Sequence, residues 1–458
     1  MKDYRQYSMW LSEYPGDLTP RAPLPGPLDV DVAIVGAGYT GLWTAYYLKK
    51  ADPGIRVVVL EKDIAGYGAS GRNGAWCSPL LINNKELMTK THGRQATAAL
   101  RQAMLDTIDE IGRVTAEEGI DGGFHKGGFM RMTRTQTQVE RMRAWVAYER
   151  TWGATEEDVR MLDAKEARER VNVPDTLGAF YWRQAALVDP ARLARNLALA
   201  VEKLGVPIYE QTPVTAITPH YAHTRQGLVH ADVVVRATEA FTADLAGCKR
   251  YYVPMYSLMI ATEPLPQSVW DEIGWSGFEA VNDARHFIIY LARTEDGRIA
   301  MGGRGAPYHF GSSLRDEFER DDRVYKQLCK TLTGLFPVLR DARITHHWGG
   351  AVALPRDWFS SAGLDKSTGI AWSGGYGGDG VATSNLGART VCDLILNENS
   401  ELARLPWVNH KIKPWEPEPF RWLGVNASVQ ATSFGDKEEI KTGRQSYAVK
   451  IVKKVTKT

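Results

Sequence analysis

The sequence predicts a mixed α/β fold organised around a βαβ unit near the N-terminus. Three observations carry this. Val32-Ala-Ile-Val-Gly36-Ala-Gly38-Tyr-Thr-Gly41 sets a GxGxxG between a strand and a helix. Strand patterns recur through the middle of the chain, separated by amphipathic helical stretches. Near the end, a short apolar strand enters a second glycine-rich turn and another helix.

The elements follow in order. Five prolines between Pro15 and Pro27 make residues 1–27 an extended arm. A strand at Val30–Val35, a helix at Tyr39–Lys50 and a strand at Arg56–Leu60 form the βαβ unit. Residues 95–119, 136–150 and 190–204 have helical periodicity. Strands are expected at Gly128–Met132, Gly178–Trp182, Val214–Ile217, Asp232–Arg236, Val253–Ala261, His286–Leu291 and Arg298–Gly302, where residues alternate or are β-branched and aromatic. Gly369–Ser373 is a short strand before the last helix, Gly380–Leu396. Lys413–Asn426, with three prolines and two tryptophans, reads as a strap over another surface. Residues 413–458 form a C-terminal extension.

Bulk composition bounds the function. At 458 residues, 44% hydrophobic and 24% charged, the chain is neither mostly disordered nor fibrous. A net charge of +2 provides no global field for nucleic acid or an anionic membrane. The basic stretch after Asp436 reads as a solvated extension. Cys77, Cys248, Cys329 and Cys392 are far apart, so neither a disulfide framework nor a metal site is expected, and a reducing cytoplasm fits. No signal peptide is expected at the N-terminus, and no stretch reaches the ~18 apolar residues of a membrane span.

The fingerprint meets its context conditions: strand before, helix after, and Glu61 ending the next strand 20 residues past Gly41. Gly36 permits the tight turn, Gly38 a close backbone approach to pyrophosphate, and Gly41 the packing of helix on strand. Tyr39 and Thr40 open a helix whose free N–H groups and dipole favour phosphate. Glu61, with Lys62 beside it, would accept from ribose hydroxyls. A simple NAD-binding unit needs no second glycine loop, yet Gly66–Gly74 follows the second strand at once. A third loop, Gly374–Gly380, again precedes a helix, whose N-terminus suits the electron-rich edge of a flavin. There is no second dinucleotide fingerprint for a pyridine nucleotide. FAD is therefore the expected cofactor.

At these residues the chain resembles the FAD-dependent oxidoreductases of the D-amino-acid oxidase, glycine oxidase and sarcosine oxidase superfamily, most closely the gamma-glutamylputrescine oxidase branch. The resemblance also rests on Ala69-Ser-Gly-Arg-Asn-Gly74, Val188-Asp-Pro-Ala-Arg192-Leu, Thr212–Ile217, Ala231–Thr238 and Trp415–Gly424. It implies a Rossmann-like FAD-binding domain (28–92, 186–250 and 343–412) interleaved with a substrate domain on a mixed sheet (93–185 and 251–342). It also implies that Val214 meets the adenine, that Ala237 and Thr238 lie beside the dinucleotide, and that Ser70, Arg72, Asn73 and Gly74 lie along the flavin. Gly375, Gly377, Gly378, Asp379, Gly380 and Val381 complete the flavin end. Some relatives bind FAD through a His or Cys. This chain has no His in 66–80 and no Cys in 330–391, so non-covalent FAD is expected.

Flavin removes a hydride equivalent from carbon beside a nitrogen lone pair, leaving the protein to orient and desolvate the amine. The expected activity is oxidation of a primary or secondary amine to an imine, hydrolysed to an aldehyde, with O₂ or another acceptor reoxidising the cofactor. An amino-acid oxidase or dehydrogenase and a non-catalytic flavin-binding subunit are the competing readings. The candidate substrate-side residues are Trp348 as a cage wall, Arg304 as a carboxylate clamp, His347, and Tyr290 and His286 on one strand face.

Overall fold

The computed structural model describes residues 2–82 and 85–456, without the side chains of Arg304 and Val455. Two eight-stranded sheets organise it. In the first, Leu28–Val35 lies centrally, parallel to Val57–Leu60 on one side and Leu228–Arg236 on the other. Ile370–Gly374 extends the sheet parallel to Leu228–Arg236, and Ser361–Asp365 closes that edge antiparallel. The central strands read as apolar runs because both faces are covered, one by helices and the other by Leu24 of the N-terminal arm with Tyr209, Val214, Ile217 and Ala222. Helix Tyr39–Ala51 packs with Gly380–Ile395, Lys85–Glu117 and Pro190–Lys203 in one core cluster.

The second sheet runs Ile344–Pro355, Tyr252–Thr262, Ile299–Arg304, Ile289–Arg293, Ala280–Asp283, Phe129–Thr133, Gly178–Trp182, Val159–Leu162. Every pairing is antiparallel except Ala280–Asp283 with Phe129–Thr133. Ile344–Pro355, grouped by sequence with the nucleotide-binding part, instead pairs along the whole of Tyr252–Thr262. The chain's last return to the first sheet comes after Pro355.

Three elements depart from expectation. The N-terminal arm is docked, not simply extended: Met9–Ser12 is a helical turn with Met9, Trp10 and Leu11 buried. Trp10 Nε1 donates to the Asn73 carbonyl (2.9 Å) and Ser8 Oγ to the Gly71 carbonyl (2.8 Å). The strand expected at His286 begins at Ile289, because the N–H groups of His286 and Phe287 donate to Asp436 instead of a neighbouring strand. The tail is no solvated extension: Phe420–Thr442 and Tyr447–Thr456 are helices. They dock on the second sheet's helices and loops through Asn426, Asp436, Glu439 and Gly443.

Candidate active site

A cavity of about 550 Å³ lies between the two sheets. Its nucleotide end forms at the carboxyl edge of the first sheet. Gly36 turns there with φ +106°, and a Cβ would meet the Ala237 carbonyl at 2.6 Å. A Cβ at Gly41 would lie 1.9 Å from the Gly36 carbonyl, so only glycine lets the helix start this close to the strand. Gly36, Gly38, Tyr39 and Thr40 line the cavity, whereas Gly41 stands behind them.

Glu61 ends strand Val57–Leu60 at the cavity wall, with Lys62 beside it. Its carboxylate accepts from the N–H groups of Ala37 (2.7 Å) and Asp63 (2.9 Å). Burial nevertheless pushes its pKa up to about 7, beyond what those two hydrogen bonds offset. Val214, Ala237 and Thr238 line the same end.

The second glycine loop forms the middle. Ser70 Oγ accepts from the Tyr39 N–H (2.9 Å), tying this loop to the first helix. Asn73 shapes its own loop, donating to the Ala69 and Ser70 carbonyls (3.1 and 3.0 Å) and accepting from the Ala75 N–H (2.9 Å). Arg72 also lines the cavity, but its guanidinium turns to the Glu319 carboxylate and lies over the Tyr67 ring (4.1 Å). Gly74 backs onto Tyr290, whose ring lies 2.3 Å from where a Cβ would stand.

The third glycine loop contributes Gly378, Asp379, Gly380 and Val381 at the N-terminus of the last core helix, while Gly375 and Gly377 stay outside the lining. Two residues that the sequence reading missed hold this loop. Glu239 accepts from the Gly375 (2.9 Å) and Tyr376 (3.1 Å) N–H groups. The Tyr376 hydroxyl is hydrogen-bonded to Thr40 Oγ1 and Ser373 Oγ, both at 2.8 Å. Burial pushes Glu239 up to about 7.

The far end is closed by Arg131, Asn282 and Tyr290 of the second sheet, by Ile288 just before its strand, and by Trp76 from a separate two-stranded pair. Among the expected substrate-side residues whose side chains are described, only Tyr290 reaches this cavity; its hydroxyl is 2.7 Å from Ser257 Oγ. Trp348 is not a cage wall: it is buried behind the second loop, donates to the Arg72 carbonyl (3.0 Å) and packs edge-on against Trp10. His347 points the opposite way on its strand, toward Tyr325 (4.9 Å between ring centroids). His286 lies outside the cavity, with Nε2 2.8 Å from Glu439 Oε1. Arg304 ends its strand opposite Ser257, but its side chain lies outside the described residues. Trp76, Arg131 and Asn282 were missed. The signal for Arg131 was a lone charge in the strand Phe129–Thr133.

Comparison with known proteins fits this arrangement. Residues 31–394 match the DAO family, described as FAD dependent oxidoreductase. Gamma-glutamylputrescine oxidoreductase of Escherichia coli is 30% identical over 374 residues, covering 80% of this chain and 83% of that protein. A probable oxidoreductase, OrdL, of Haemophilus influenzae is 26% identical, covering 81% and 84%. Among solved structures, glycine oxidase from Geobacillus kaustophilus superposes with a TM-score of 0.69 at 22% identity, over 84% of this chain and all of that one. The family match spans both sheets and all three glycine loops, and the chain belongs to the DAO family of FAD-dependent oxidoreductases.

Proposed function

We propose that the protein oxidises the C–N bond of a primary or secondary amine to an imine, with FAD held non-covalently along the cavity. The supporting observation is the continuity of that cavity, from two helix N-termini to the aromatic wall of the second sheet. In this reading Glu61 accepts from ribose hydroxyls, and Val214 meets the adenine. The turn at Gly36, Gly38, Tyr39 and Thr40 takes the pyrophosphate at a helix N-terminus, whose dipole favours an anion. The loop Ser70–Gly74 and the helix start at Gly378–Val381 flank the flavin, the latter supplying a positive dipole end. FAD, when bound, accepts the two electrons and supplies the redox chemistry.

Trp76, Ile288 and Tyr290 enclose the space beyond the loop Ser70–Gly74. A dry aromatic wall disfavours the ammonium and so favours the neutral amine, the form with a lone pair to release. Trp348 and Glu319 act behind the site, fixing the Arg72 backbone and side chain. Cys77 is buried and its thiol is pushed well above its ordinary range, which makes it a poor attachment point and supports non-covalent FAD. The released imine hydrolyses to an aldehyde, and O₂, yielding H₂O₂, or another acceptor takes the electrons.

The test is anaerobic mixing of the FAD-loaded protein with a panel of amines and α-amino acids, following loss of flavin absorbance. Bleaching by amines, with an aldehyde recovered after quenching, is the expected result. Bleaching by α-amino acids alone would move the reading to amino-acid oxidation. Denaturation should release FAD into the supernatant.

A further inference from the structure

The two C-terminal helices turn their acids inward and their bases outward. Asp436 accepts from the N–H groups of His286 and Phe287. Glu438 accepts from Ser446 Oγ, and Glu439 pairs with Arg141 and His286. Lys437, Lys441, Arg444, Lys450 and Lys454 are all exposed, and among the described residues none of the five has an ion-pair partner. The chain as a whole carries only +2, so its positive charge is concentrated on this surface.

The same surface is apolar. Fifteen large apolar side chains are exposed among the described residues, and seven of them fall within residues 420–451. On the helix Phe420–Thr442, Leu423, Phe434, Lys437 and Lys441 share the face opposite the buried Arg421, Gly435 and Glu439. On the helix Tyr447–Thr456, Tyr447, Lys450, Ile451 and Lys454 recur at i, i+3, i+4 and i+7, again one face. Val449 points the other way, onto Gly435, where a Cβ would stand 2.3 Å from Val449 Cγ2. The chain folds back between the helices at Gly443, φ +63°. Tyr447 is 70% and Ile451 50% exposed, so neither side chain is used in packing the pair together.

Aromatic and aliphatic side chains interleaved with lysines suit one kind of surface. A polyanion in water would satisfy the lysines and leave the apolar groups wet. A second copy of this face would set like charges against each other, since the acids of both helices are engaged inward. An anionic bilayer takes both sets: apolar side chains enter the acyl boundary, while lysine stems lie along it and lift their ammonium groups to the phosphates. Among the described residues no helix is long and apolar enough to cross a membrane, so the contact is a surface one.

We propose that this C-terminal helix pair docks the enzyme on the surface of an anionic lipid bilayer. The docking face belongs to the same helix that, through Asp436 and Glu439, holds the segment leading to Ile288 and Tyr290 at the substrate end of the cavity. The proposal does not depend on which substrate is oxidised.

The full-length FAD-loaded protein is sedimented, at about 0.1 M salt, with vesicles of phosphatidylcholine alone or containing about one-third phosphatidylglycerol. Binding to the anionic vesicles should be at least about tenfold tighter and should fall away near 1 M salt, where the Debye length shrinks to about 3 Å. Lys450→Gln with Lys454→Gln should weaken it about 30-fold. Tyr447→Ser with Ile451→Ser leaves the charge unchanged and should weaken it at least about tenfold. All four side chains are exposed, so FAD content and melting temperature should match the parent in both variants. Equal binding to the two vesicle types, or no binding to either, would overturn the proposal. Sensitivity to the lysine pair without sensitivity to Tyr447 and Ile451 would also overturn it, in favour of a polyanion site. So would a lipid-free dimer, seen by sedimentation velocity, that the Tyr447 and Ile451 changes dissolve.

Discussion

Glu439 in the C-terminal helix accepts from Nε2 of His286 at 2.8 Å, and it also pairs with Arg141. Three residues earlier, Asp436 accepts from the N–H groups of His286 (2.7 Å) and Phe287 (2.8 Å). His286 is therefore anchored from outside the cavity, while Ile288 and Tyr290, just beyond it, face in. The tail lies beyond the matched family region, yet it holds a segment that walls the substrate end. Asp436→Ala removes both acceptors and should raise the amine concentration for half-maximal flavin reduction about tenfold, the scale of one or two charge-assisted hydrogen bonds. FAD content should not change. An unchanged half-saturation value would show that the tail only stabilises the fold.

Tyr376 joins the first and last glycine loops through its 2.8 Å hydrogen bonds to Thr40 and Ser373. Tyr376→Phe leaves the packing intact and orphans those two hydroxyls. The expected cost is about 1–2 kcal/mol of stability. Because both loops border the cavity, FAD affinity should fall about tenfold, read by quenching of FAD fluorescence on titration. A stability loss with no change in FAD affinity would mean that the two loops are positioned independently.

The cavity carboxylates predict a pH dependence for the FAD-free protein. Glu61 and Glu239 have pKa values pushed up from 4.5 to about 7 by burial. Each binds its proton more tightly when folded, so the stability from the neutral form is full below about pH 4.5. It is lost as pH rises toward 7. Asp189, raised to about 6, adds a slope of the same sign. Glu239→Gln mimics the neutral form, so its melting temperature should gain on the parent by several degrees from about pH 5 to pH 8. A constant difference across that range would mean that Glu239 is ionised throughout.

The nucleotide-binding half was legible because its residues are fixed by backbone geometry that few sequences satisfy. The Gly36 turn and the 1.9 Å clearance at Gly41 demand glycine, and the demand shows in the sequence. The substrate half obeys weaker rules. Trp348 and His347 are neighbours in sequence, but strand alternation and the docking of Trp10 decide where each points. Arg131 is one charge in a short strand, and only the fold shows that it reaches the cavity. The long C-terminal helix gave no periodic signal because only Arg421, Gly435 and Glu439 are buried along it.

Arg72 and Glu319 form an ion pair between the second glycine loop and the second sheet's loops, with side chains only 2% and 14% exposed. Trp348 adds a hydrogen bond to the Arg72 carbonyl, and the Tyr67 and Tyr7 rings lie over its guanidinium. Burial raises the Glu319 pKa and Arg72 opposes that rise, so each charge is tolerated through the other. Glu319→Gln leaves a buried guanidinium without its anion and should cost about 3–5 kcal/mol. Arg72→Met with Glu319→Leu removes both charges and should recover most of that loss. Chemical denaturation of the FAD-loaded single and double variants measures both terms. If the double variant is as unstable as Glu319→Gln, packing rather than the stranded charge governs this contact.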